Sequence, residues 1–213
     1  MNKKYLKYLE TYKKVWDDNK WNIVNKDDSR LGYKNVRGTT YLIFSETNNT
    51  FKDWLRDFKF WKKPYKDMEK LFFVHSGFLE DYKIMRKPLL EFMEKKYNKE
   101  NKLVLIGYSQ GGATAQLAYE DLEYHGYKVD ECVVFASPRV YSIINRKTLK
   151  ERMKNLVIIT NENDPVPSVP YITFFYKHIV KPIVIGKRTF PKFLYKGKDH
   201  IIYRYLSNLS KDN

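Results

Sequence analysis

A serine set among glycines, Gly107-Tyr108-Ser109-Gln110-Gly111-Gly112, carries the clearest chemistry in this 213-residue chain. The pattern G-x-S-x-G makes a nucleophile elbow, in which glycines let backbones pass closely while a strained turn thrusts the serine outward. It follows the apolar run Leu103-Val104-Leu105-Ile106 and opens a helical stretch, 111–124, closed by Gly126. A serine hydroxyl attacks only when a base takes its proton and an acid orients that base. Three histidines follow it: His125, His178 and His200. His125 precedes Gly126 at the end of the helix that Ser109 opens, where a cap or cation is welcome and the ring cannot reach back, so it is read as structural. His178 and His200 both stay open as the base. Asp164 stands in Asn161-Glu162-Asn163-Asp164-Pro165-Val166-Pro167, directly after an apolar stretch, 156–160. A loop at the carboxyl end of a strand is where an open α/β sheet places its working groups.

Such a site needs a sheet to hold it. Residues 3–17 space Tyr5, Leu6, Leu9, Tyr12, Val15 and Trp16 as on one face of a helix. Stretches 31–36 and 40–45 read as strands joined by a turn at Arg37-Gly38. Leu71-Phe72-Phe73-Val74 is of strand length and leads into an amphipathic helix, 79–97. The alternation then continues with a strand at 103–106, a helix at 111–124, a strand at 131–135, a helix at 143–153 and a strand at 156–160. Strands alternating with helices predict an α/β fold whose mostly parallel sheet is covered by helices on both faces. Neither an internal repeat nor a long linker breaks the chain, so a single domain over 1–213 is expected.

Composition excludes several classes. With 43% hydrophobic and 16% aromatic residues the chain can bury a core, despite a net charge of +15. The lone cysteine, Cys132, excludes an intramolecular disulfide framework and a Cys-rich zinc site. No apolar run approaches the length of about 18 residues that marks a spanning helix, and the N-terminal stretch lacks the apolar core of a signal peptide. These features lead to the expectation of a cytoplasmic or host-cell intracellular protein. The positive charge comes from 31 Lys and 9 Arg, point charges on flexible stems rather than planar forks, which disfavours specific reading of nucleic acid.

Several blocks in order resemble the fungal-type, or class 3, triacylglycerol lipases of the α/β-hydrolase superfamily. They are Asp53-Trp54-Leu55-Arg56-Asp57, Val74-His75-Ser76-Gly77-Phe78, the elbow at 107–112, Phe135-Ala136-Ser137-Pro138-Arg139-Val140, Asn163-Asp164-Pro165-Val166-Pro167 and Asp199-His200-Ile201-Ile202-Tyr203. The resemblance covers roughly residues 40–205. It implies Ser109 as nucleophile, Asp164 as acid and His200 as base, the family's late histidine being followed by a tyrosine three residues on. His178 resembles a different family histidine, and His75 falls in a structural block. One oxyanion donor is implied at the backbone N–H of Gln110, which replaces the usual Leu. The second belongs to a block that Arg37-Gly38-Thr39 matches in letters and Phe44-Ser45-Glu46-Thr47 matches in place; Thr47 is chosen. There Ser45-Glu46 replaces Arg-Gly, which puts a negative charge near a site meant to hold an anion.

The stretch 49–61 takes the place of the family's lid, with Phe51, Trp54, Phe58 and Trp61 as its apolar contacts. Residues 165–198 hold seven Lys or Arg and no acid, interleaved with aromatics. A basic aromatic surface of this kind favours peripheral contact with anionic membranes. The resemblance thus implies a serine ester hydrolase acting on fatty-acyl esters of lipids, as a triacylglycerol lipase or in the manner of a phospholipase A1. It would be a monomer without metal or organic cofactor. Two other readings share the sequence: a soluble short-chain carboxylesterase, and a catalytically weak basic membrane-binding module.

Overall fold

A computed structural model of the chain describes residues 2–16, 18, 20–27, 29–46, 62–65, 72–170, 175–187 and 200–211. Thr47 and the aromatic stretch with Phe51, Trp54, Phe58 and Trp61 lie outside the described residues.

Period-two alternation of buried side chains builds the central sheet. Its strands are β1 (Asn22–Lys26), β2 (Ser29–Val36), β3 (Thr39–Glu46), β6 (Lys102–Tyr108), β7 (Glu131–Phe135), β8 (Leu156–Asn161) and β9 (Ile183–Ile185), hydrogen-bonded in that order. From β3 to β9 every pair is parallel, while β1 and β2 form an antiparallel edge joined to β3 through the turn at Arg37-Gly38. Leu42, Phe44, Leu103, Leu105, Cys132 and Val134 face one side; Ile43, Val104, Ile106, Val133 and Phe135 face the other. The first side is covered by α2 (Ser76–Lys96) and α3 (Gln110–Tyr124), the second by α1 (Asn2–Lys14) and α5 (Ile202–Lys211). This is the α/β-hydrolase fold, a mostly parallel sheet between two helical layers. Among the described residues no helix is long and apolar enough to cross a membrane.

Several elements depart from the sequence reading. The apolar run ending at Val74 becomes β5 (Phe72–His75), which leaves the main sheet and pairs antiparallel with β4 (Lys62–Tyr65). Length and apolarity predict a strand but not its partner. The expected helix at 143–153 is a short 3-10 turn, Ile143–Asn145, followed by α4 (Arg146–Arg152). The strands β1, β4 and β9 and the helix α5 have no counterpart among the expected elements.

Candidate active site

The elbow is built by close backbone approach. Ser109 stands between β6 and α3 with φ 56° and ψ −126°, a region L-residues rarely adopt. A side chain on Gly107 would strike the backbone of Gly111, and one on Gly111 the Phe44 carbonyl of the neighbouring strand. Only glycine lets the helix start this close to the sheet. The Ser109 N–H donates to the Phe135 carbonyl at the end of β7, which anchors the turn.

Three distant segments meet at the carboxyl edge of the parallel strands. His200 Nε2 lies 2.8 Å from Ser109 Oγ, and His200 Nδ1 lies 2.8 Å from Asp164 Oδ2. Asp164 is 2% exposed and His200 8%, so the His200–Asp164 contact is shielded from water, while Ser109 is half-buried. The other carboxylate oxygen, Asp164 Oδ1, accepts the Val166 N–H at 2.9 Å, an Asx turn that fixes the acid in its loop. A hydroxyl–imidazole–carboxylate chain of this kind can pass a proton from serine to histidine and hold the resulting imidazolium.

Tyrosines that sequence reasoning missed surround this line. Tyr205 Oη donates to Asp164 Oδ2 at 2.6 Å and accepts the Asn161 N–H at 3.0 Å. Tyr108 Oη donates to the His200 carbonyl. Burial, reinforced by the Asp164 charge, raises both phenols well above their ordinary pKa, so both remain donors. The tyrosine three residues after His200, Tyr203, is 61% exposed and lies under the Lys13 ammonium. The signal for Tyr205 was available in helical spacing: Tyr205 and Leu209 are the buried i, i+4 pair of α5.

The remaining histidines have separate tasks. His178 Nε2 contacts the Pro167 carbonyl at 2.8 Å, and burial lowers its pKa to about 4. His125 caps α3 with Nδ1 2.7 Å from the Asp121 carbonyl. His75 is buried against Phe78 and Tyr176, and burial lowers its pKa to about 4.

Gln110 opens α3, so its N–H lies in the first turn, where no intrahelical acceptor exists. That leaves a donor beside Ser109 at the positive end of a 15-residue helix. Its side chain is tied across to α2: Nε2 donates to Asp81 Oδ2 at 2.5 Å. Thr39 pairs with Lys102 at the amino end of β6, the edge opposite Ser109, and is thereby excluded as an oxyanion donor. Ser45, near the carboxyl end of β3, accepts the Tyr12 hydroxyl at 2.8 Å, so the residue that stands where the family has Arg is held by α1.

The profile of the lipase (class 3) family matches residues 41–174. This chain belongs to the class 3 lipases. It is 32% identical over 105 residues to secreted mono- and diacylglycerol lipase A of Penicillium cyclopium, covering 48% of this chain and 34% of that protein. With secreted mono- and diacylglycerol lipase 1 of Fusarium solani it shares 30% identity over 129 residues, 60% of this chain and 38% of that one. Its matches thus span little more than a third of these curated relatives. Among solved structures, Rhizomucor miehei lipase in its propeptide complex superposes with TM-score 0.71 at 19% identity, over 85% of this class 3 lipase and 68% of that chain. The expectation of an intracellular protein does not stand: the relatives matched are named secreted lipases. Lack of a visible leader in the sequence was a weak basis for a compartment.

Proposed function

We propose that this class 3 lipase is a serine hydrolase cleaving fatty-acyl esters of lipids through an acyl-enzyme. The observation that carries the reading is the unbroken line from Ser109 Oγ through His200 to Asp164, with both contacts at 2.8 Å. As Ser109 attacks the ester carbonyl, His200 takes its proton and Asp164 stabilises the imidazolium. His200 then returns the proton to the departing alcohol, and water, deprotonated by the same histidine, releases the fatty acid. The Gln110 N–H is the first oxyanion donor. Thr47, which follows directly on β3, is the proposed second donor, and the residues around Phe51, Trp54, Phe58 and Trp61 the proposed lid. The mechanism needs neither metal nor organic cofactor. The names of the relatives favour mono- and diacylglycerols as substrates and an extracellular setting; action on phospholipids in the manner of a phospholipase A1 is the finer alternative, and one monomeric domain suffices.

The test is intact-mass analysis after exposure to a fluorophosphonate. A single adduct on wild type that disappears in Ser109→Ala is the expected result. No adduct on folded wild type, with and without lipid present, would defeat the reading.

A further inference from the structure

Two stretches without a single carboxylate, 132–150 and 165–187, carry seven cations between them. The fold brings them into contact. Ser142 bridges Tyr176, the Ile143 N–H donates to the Phe175 carbonyl at 2.9 Å, and Arg146 Nε donates to the His178 carbonyl at 2.8 Å. At this seam two large apolar side chains point to solvent: Ile144 is 70% exposed and Phe175 41%. Arg146, Lys147, Lys150, Lys177 and Lys181 in the same two stretches are exposed, and no described carboxylate forms an ion pair with any of them.

Exposed apolar side chains with exposed cations close by in the chain are poorly suited to water and well suited to an interface where acyl chains begin beneath anionic headgroups. We infer that the seam of Ile144 and Phe175, with Lys147 and Lys177 beside it, is a docking face for an anionic lipid surface. Both stretches leave the sheet at the carboxyl ends of their strands, β7 and β8, the edge that carries Ser109 and Asp164. Docking here brings that edge towards the lipid. The inference rests on the proposed lipid-ester activity for its purpose but not for its measurement. A nucleic acid would use the cations and ignore the two apolar residues.

The experiment measures cosedimentation of the Ser109→Ala protein with vesicles of phosphatidylcholine alone or mixed with phosphatidylglycerol. Binding is expected to the anionic mixture only. It should fall by about tenfold or more in Ile144→Ser/Phe175→Ser and, separately, in Lys147→Glu/Lys177→Glu. The same pairs of substitutions in the protein with Ser109 intact should leave hydrolysis of a dissolved short-chain ester unchanged. Equal binding to both vesicles, or no loss in either variant, overturns the inference. So does binding to a duplex oligonucleotide that Lys147→Glu/Lys177→Glu abolishes and Ile144→Ser/Phe175→Ser retains, if vesicle binding is likewise indifferent to the apolar pair. If wild type binds anionic vesicles but hydrolyses no ester, the docking face stands and the proposed activity falls.

Discussion

Tyr205 Oη approaches Asp164 Oδ2 to 2.6 Å, on the same carboxylate oxygen that His200 Nδ1 meets at 2.8 Å. One oxygen therefore takes two donors. The phenol fixes the carboxylate's rotation, so the lone pair facing His200 is set by a residue that never reaches substrate. Tyr205→Phe should lower kcat by roughly tenfold with little change in KM, because one charge-assisted bond is lost from the acid. It also leaves the buried Asn161 N–H without its acceptor, at a cost to stability of about 1–2 kcal/mol. Steady-state kinetics on a soluble ester and urea unfolding separate the two effects.

Asp164→Asn should be far more damaging to turnover than to folding. Both carboxylate oxygens face donors, Oδ2 towards His200 and Tyr205 and Oδ1 towards the Val166 N–H. Whichever way an amide is turned, its NH₂ group opposes an N–H or O–H. The imidazole loses its preferred tautomer, and kcat should fall on the order of a thousandfold or more. A variant retaining wild-type turnover would remove Asp164 from the proposed mechanism.

The tie between α2 and the start of α3 is open to a double-mutant cycle. Asp81→Ala and Gln110→Ala each break the 2.5 Å contact of Gln110 Nε2 with Asp81. Both residues are half-buried. Their coupling in urea unfolding should be on the order of 1 kcal/mol. Additive single effects would mean that the contact contributes nothing.

Acid should weaken the fold through His75. Its pKa lies near 4 in the folded protein because burial penalises the charged ring, against an ordinary 6.5 when unfolded. Between those values the unfolded chain binds the extra proton, so stability falls as pH drops from about 6.5 to about 4 and the loss is complete below that window. His75→Phe keeps an aromatic ring between Phe78 and Tyr176 and removes the titration. Its urea midpoint should therefore decline less than that of wild type over the same window.

Much of the fold was legible because buried parallel strands and amphipathic helices leave strong periodicities. Leu103-Val104-Leu105-Ile106 is apolar at every position because both of its faces are covered. Length and pattern do not reveal partners, so β5 reads as part of the main sheet, and the three-residue β9 is too short to leave a period. At the site, glycine spacing points to the elbow and the order of blocks separates His200 from His178. Tyr205 escapes a motif-based reading because the family position falls on Tyr203, whereas the helix turns that side chain outward to Lys13. The Asp81 contact joins residues 29 apart and leaves no local trace.

The helices α1 and α5 lie together on one face of the sheet, Leu9 and Tyr12 sharing a core with Tyr205 and Leu209. His200 stands just before α5, so the proposed base is delivered by an element whose packing partner comes from a distant part of the sequence. Closing so long a loop is among the slower events in forming a chain of this topology. Activity is therefore expected to return in refolding no sooner than α1 and α5 pack together, since that packing seats His200 beside Ser109.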